Sequence, residues 1–168
     1  MSTTLTSDQE VIRCYNKPAI SEDLQARLTA EGLFVADYNN GRSLESSAVP
    51  DDNRRSAAGL AFNRIETITQ EGGIGLIRTP NDDDKIITVG EWKPNCATFK
   101  EIDGTQLKGI QMARYGLIVP SDELYNKLDG AFDTGGKTVI DVDDYQDTIE
   151  KAINTLEREG RLRKPAYF

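Results

Sequence analysis

The sequence predicts an α+β fold, with a central, mostly antiparallel sheet, N-terminal helices and a long C-terminal amphipathic helix. Three observations predict it. The middle of the chain strings β-rich runs between turn residues: GIGLIRTP and KIITVGEW joined by NDDD, then TFKEI and TQLKGIQMA around Asp103-Gly104, a strong short-range hairpin signal. Near the C-terminus Tyr145, Ile149, Ala152, Ile153 and Leu156 form one apolar helical stripe that Gly160 closes. The length, 168 residues with 38% hydrophobic and 29% charged, suits one domain with a genuine core.

The elements follow in order. Ser7-Asp8-Gln9-Glu10 has capping-box form and predicts a short helix carrying Val11, Ile12 and Tyr15, stopped by Asn16-Lys17-Pro18. Ser21-Glu22-Asp23 opens a second helix with Leu24 and Leu28 four apart. Gly32 ends it, and residues 33–38, LFVADY, read as a strand. Residues 41–56 show no periodicity and predict a long loop, whereas 57–70 suit a helix. The sheet is expected over residues of about 73–119, joined by strands near 33–38 and 137–142. A competing reading makes 105–114 a helix, because Leu107, Ile110 and Arg114 also fit helical spacing. Ser121-Asp122-Glu123 caps a short helix through Leu124 and Leu128, Gly135-Gly136 leads into the strand KTVIDV, and Asp143 or Asp144 caps the last helix. The expected organisation is a single domain over 1–160 and a basic, aromatic arm over 161–168.

Composition excludes several chemistries. The chain has no histidine and two cysteines, Cys14 and Cys96, so Ser-His-Asp, Cys-His and histidine-ligated zinc centres are ruled out, as is a structural zinc site. A net charge of −8 works against phosphate backbones, so nucleic acid is a poor partner. No apolar stretch approaches the roughly 20 residues of a membrane span. The N-terminus lacks a secretory signal, which predicts a cytoplasmic protein or part of a viral particle. No cofactor and no metal are expected.

The acid-rich stretch NDDDKIITVGEWKP is the one place where an enzyme could reside. With a hairpin turn centred near Asp82, Glu71 would lie across from Lys93 and close to Glu91, two carboxylates and a lysine at one rim. Over about twenty residues this resembles the PD-(D/E)XK nucleases, in which an acidic residue and a Glu-x-Lys pair hold magnesium and help activate water. The resemblance implies a catalytic set of Glu71, Glu91 and Lys93. It departs from the family in putting a glutamate where an aspartate is usual, and Asp82, Asp83 and Asp84 lie about 20 Å up the strand, too far to share the metal. The plain alternative is an edge ion pair beside a turn.

Other motifs carry less. TGGKT has Ala131 where a phosphate-binding loop needs glycine, and a strand follows rather than a helix. Asp141, Asp143 and Asp144 have alternating acidic spacing without the glycine and final glutamate of a calcium loop. The tail is more telling: Arg161, Arg163 and Lys164 concentrate positive charge in an acidic chain and are followed by Tyr167 and Phe168. That pattern predicts a docking peptide for other protein subunits. The expected function is a non-catalytic structural or interaction subunit of a larger homo- or hetero-oligomeric assembly, such as a phage or viral particle, held through its terminal segments. The alternatives are the magnesium-dependent nuclease and an acidic inhibitor aimed at a basic protein surface.

Overall fold

The computed structural model describes residues 9–16, 21–36, 57–80, 84–102, 105–132 and 139–165, without the side chains of 36, 57–63, 99–102 and 105–108. The strands are β1 (Glu10–Tyr15), β2 (Leu33–Ala36), β3 (Gly73–Arg78), β4 (Ile87–Trp92), β5 (Ala97–Ile102), β6 (Thr105–Gln111), β7 (Arg114–Ile118) and β8 (Val139–Asp141). The helices are α1 (Glu22–Ala30), α2 (Ala57–Glu71), α3 (Tyr125–Asp129) and α4 (Gln146–Arg158). The fold is α+β, with a mostly antiparallel central sheet flanked by helices, the long C-terminal one included.

The strands divide into two sheets, a five-stranded one in the order β7-β4-β3-β1-β8 and a three-stranded one in the order β2-β6-β5. The division starts just after β4. Asn95 takes a left-handed backbone (φ 66°), and the chain leaves the central sheet. It then makes the β5–β6 hairpin, paired from Ala97↔Ile110 to Ile102↔Thr105, and pairs β6 with β2 before returning. Ala113 rejoins by donating its N–H to the Glu91 carbonyl (2.8 Å). Residues 33–36 therefore form the expected strand, but beside the hairpin rather than in the central sheet. The competing helix over 105–114 does not form.

The first predicted helix is a strand. Val11, Ile12 and Cys14 are fully buried, with Val11 packed on one face of the sheet and Ile12 and Cys14 on the other. A strand buried on both faces shows a continuous apolar run instead of alternation, and its period gives it no signature against a short helix. β1 runs parallel to β3, from Glu10↔Gly73 to Tyr15↔Arg78, and antiparallel to β8. The remaining pairings of the central sheet are antiparallel.

Two apolar layers cover the sheet. On one face Ile149, Ala152, Ile153 and Leu156 of α4 pack with Val11, Ile74, Leu76, Ile87 and Val89, joined by Leu124, Tyr125, Leu128 and Phe132. On the other, Ile65 and Ile68 of α2 and Phe34 and Ile110 of the small sheet meet Ile12, Cys14, Ile77 and Trp92. Burying each such side chain contributes roughly 1.5–3 kcal/mol. The Gly75↔Gly90 pair makes room for this layer, since a Cβ on Gly75 would stand 2.7 Å from the Trp92 ring and one on Gly90 2.7 Å from Met112 Sδ. The Trp92 indole N–H reaches the Ile110 carbonyl at 3.3 Å, fastening the small sheet to the large one.

α4 departs from expectation at its N-terminus and ends at Gly160 as expected. Asp143 and Asp144 lie in a 3-10 turn ahead of the helix, whose N-cap is Tyr145 with no side-chain cap bond. Asp143 instead gives its own N–H to Asp141 Oδ1 at 3.2 Å. At the other end Gly160 (φ 68°) closes a full Schellman turn: Arg161 N–H bonds the Leu156 carbonyl at 2.8 Å and Gly160 N–H the Glu157 carbonyl at 3.1 Å.

Candidate functional site

The Glu-x-Lys rim is assembled differently from its sequence reading. Gly73 pairs with Trp92 and Ile74 with Glu91, so the register sets Gly72, not Glu71, level with Lys93. Glu71 is exposed on the last turn of α2 and Lys93 is exposed past the end of β4. Glu91 follows Val89 on the α4 face, where it is 7% exposed. Arg114 Nη2 lies 3.4 Å from Glu91 Oε2 while Arg114 Nη1 holds Glu157 Oε2 at 2.8 Å. One arginine thus bridges two carboxylates across β4, β7 and α4. That use of Glu91 ties a helix to a sheet, and α2 with Glu71 packs on the opposite face. Among the described residues no group of three metal-ligating side chains comes together. Asp84 is exposed, while Asp82 and Asp83 lie outside the described residues, as does TGGKT.

The tail does not leave the domain at Gly160. Arg161 meets Asp122 through both carboxylate oxygens (3.1 Å each), meets Glu159 at 2.9 Å and donates to the Leu117 carbonyl at 2.8 Å. The Arg161 guanidinium, through these hydrogen bonds, holds the Asp122 carboxyl below its usual range. Arg163 then pairs with Tyr115 along the outer edge of β7, its N–H to the Tyr115 carbonyl at 2.7 Å and its carbonyl to the Tyr115 N–H at 3.0 Å. The main chain is fixed there, yet the Arg163 and Lys164 side chains are exposed. Tyr167 and Phe168 lie outside the described residues.

A third group of side chains has no counterpart in the sequence reading. At the carboxyl ends of the parallel pair β1 and β3, Arg13, Tyr15 and Arg78 share the face covered by α3 and Phe132. The Arg13 guanidinium carbon sits 4.6 Å from the Tyr15 ring centre and 5.7 Å from that of Phe132, with Nε donating to the Ala131 carbonyl at 3.3 Å. Arg78 sits over the same Phe132 ring at 4.4 Å. Its Nη2 reaches Asp129 Oδ1 at 2.6 Å and Tyr125 Oη at 3.0 Å, and the Tyr125 hydroxyl donates to the Lys85 carbonyl at 2.6 Å. Arg78 Nε is buried and has no hydrogen-bond partner. The legible signal was an arginine inside the apolar strand VIRCY and another ending GIGLIR, an arrangement strands rarely carry without a specific partner.

One residue further along both strands the opposite face carries a neutral counterpart. Asn16 gives Nδ2–H bonds to Thr29 Oγ1 and the Leu33 carbonyl and accepts from Val35 N–H, each at 2.9 Å. Thr29 and Thr79 hydroxyls share a 2.6 Å bond, and Thr88 donates to the Thr29 carbonyl at 2.5 Å. These groups fasten α1 and β2 to the central sheet.

Acidic side chains gather at the other end of β1. Burial, then Asp143, raises the Glu10 carboxyl above its ordinary value, and a side-chain hydrogen bond with Asp141, followed by burial, raises Asp143. Among the described residues Asp141, Asp143 and Asp144 do not come together as a metal-holding group, so the calcium reading finds no site there. Both thiols are buried in one core layer, and burial raises both, Cys96 to about 12. Among the described residues no helix is long and apolar enough to cross a membrane.

Comparison with protein families, curated proteins and solved structures gave no match to this chain.

Proposed function

We propose that the chain is a non-catalytic interaction subunit that docks on an acidic protein surface through its C-terminal segment. The observation that supports this reading is the Arg163–Tyr115 pairing. It holds the main chain on a sheet edge while the cationic side chains of Arg163 and Lys164 point to solvent, just ahead of Tyr167 and Phe168. Cations presented from a fixed backbone steer an acidic partner with little loss of main-chain freedom, and a following aromatic pair can supply the desolvated anchor. The rest of the chain is strongly acidic, so this strip is complementary to carboxylate-rich surfaces, those of further copies included.

Charge reversal tests the reading. The full chain and its Arg163→Glu/Lys164→Glu variant are compared by analytical ultracentrifugation, alone and with the proteins that copurify from the native source. The expected result is a defined complex that the double variant loses while its melting temperature stays close to that of the parent. Complex formation indifferent to the reversal overturns the proposal. Supercoiled plasmid should also survive incubation with Mg²⁺; cleavage that Glu91→Gln abolishes would restore the nuclease alternative.

A further inference from the structure

The Arg78 cluster differs from the other arginine clusters in how its charge is met. Arg114 and Arg161 each engage two carboxylates. Arg78 engages one, Asp129, and shares the Phe132 ring with a second guanidinium, Arg13. Stacked guanidinium groups keep their in-plane N–H donors available, and Arg presents them as a fork that matches two oxygens of one oxyanion. Here one prong of that fork, Nη2, is occupied and Nε is not. A buried N–H without an acceptor is costly, so the position favours a second oxygen. The Asp129 side chain is 44% exposed against 15% for Arg78, which places the replaceable partner on the solvent side of the fixed one. The position also lies beyond the carboxyl ends of two adjacent parallel strands, where α/β sheets commonly receive ligands.

We propose that Arg78, stacked on Phe132 and hydrogen-bonded to Tyr125, is a recognition point for an oxyanion, a phosphate or a carboxylate group, and that Asp129 is its resident internal occupant. The incoming group displaces the Asp129 carboxylate from Nη2 and spans Nη2 and Nε together. Tyr125, anchored on the Lys85 carbonyl, fixes the plane of the fork.

The test uses the full chain. Proton–nitrogen spectra of the arginine Nε–H groups are recorded during titration with sodium phosphate, sodium acetate and sodium chloride at constant ionic strength, for the parent and for Asp129→Asn. The expected result is a saturable shift of the Arg78 Nε–H resonance with an oxyanion and none with chloride, at about tenfold higher affinity in Asp129→Asn, where the competing charge is gone. Response to phosphate but not acetate assigns a tetrahedral group, and the reverse assigns a carboxylate. Arg78→Lys, which keeps the charge and loses the fork, should abolish the oxyanion-dependent rise in melting temperature. An Nε–H resonance that moves equally with chloride, or an affinity unchanged by Asp129→Asn, overturns the proposal. The spectra of the intact chain decide the matter even where Arg78→Lys fails to fold.

Discussion

Tyr15 and Arg78 end β1 and β3 on one face of the central sheet, while Asn16 and Thr79, one residue later on each strand, turn to the other. The two places are linked by a 2.9 Å bond from the Asn16 N–H to the Arg78 carbonyl. On the Asn16 side both ends of the amide are engaged, the groups are neutral and the partners come from α1, β2 and β4. On the Arg78 side the groups are charged, the principal carboxylate is half exposed, and one donor is left over. A closed neutral network fixes geometry, because any alternative arrangement strands a buried polar group. A charged cluster with an exposed partner keeps a valence that solvent or ligand can complete. Neighbouring residues on the same strands thus serve architecture on one side and offer chemistry on the other.

This contrast can be broken by substitution. Asn16→Ala removes a side chain with three bonds and leaves the Leu33 carbonyl, the Val35 N–H and Thr29 with lost partners. The expected loss, read from urea unfolding, is about 3 kcal/mol or more. Thr88→Val keeps the shape and deletes one buried bond, for about 1–2 kcal/mol. Asp129→Ala should stay within about 1 kcal/mol, since Asp129 itself is 44% exposed and solvent screens its pairing with Arg78. If Asp129→Ala costs as much as Asn16→Ala, the Arg78 side is structural and the distinction between the two faces fails.

Titration sharpens the same contrast, because the neutral network does not respond to pH and the charged regions do. The raised carboxyls of Glu10 and Asp143 bind protons more tightly in the folded chain than in the unfolded one. Their stabilisation is complete below the ordinary values of 4.5 and 3.8 and is lost as pH rises through the raised ones. Asp122, lowered by Arg161, acts in the opposite sense: its contribution is present above 3.8 and is lost as pH falls through the lowered value. Urea midpoints followed from about pH 2.5 to 7 should therefore lose part of their fall on the neutral side in Asp143→Asn, and part of their fall on the acid side in Arg161→Gln. A pH profile unchanged by either variant would remove these pairs from the account. The smallest expected effect concerns the thiols. Cys14 and Cys96, buried and shifted upward, should react with a thiol reagent at neutral pH only at the rate of unfolding. Fast labelling of the native chain would mean an opening of that core layer.

Local signals carried the fold where an element has one buried face or where a β-rich run stands between turn residues. α4 could be read from Ile149, Ala152, Ile153 and Leu156, the hairpin from its Asp-Gly centre, and β3 and β4 from their β-rich runs. β1, buried on both faces like β3 and β4, escaped because Ser7-Asp8-Gln9-Glu10 reads as a helix cap ahead of it and two-face burial leaves no alternation to oppose that reading. The two-sheet division escaped because it depends on Asn95, on Ala113 and on the pairing of β6 with β2, none of which has a local pattern. Of the candidate site, strand placement at Glu91 was legible and its chemistry was not, since Arg114 and Glu157 reach it from distant sequence. The tail's composition was legible, but its attachment at Tyr115 needs a partner strand that only the fold supplies. Arg13 and Phe132 meet across a longer separation still, and Arg78 joins the same Phe132 ring.

The position of β1 also sets a timetable. It precedes the other described strands along the chain, yet its hydrogen-bonding neighbours are β3, which ends at Arg78, and β8, which ends at Asp141. On a translating ribosome the apolar run VIRCY therefore waits for β3 until residue 78 and for β8 until residue 141, whereas β3 and β4 pair soon after they emerge. Long-range parallel pairing is intrinsically slow, and apolar strands held in waiting invite chaperones and misassociation. Nascent chains stalled before residue 78 should accordingly expose β1 to protease, and those extended past residue 141 should protect it.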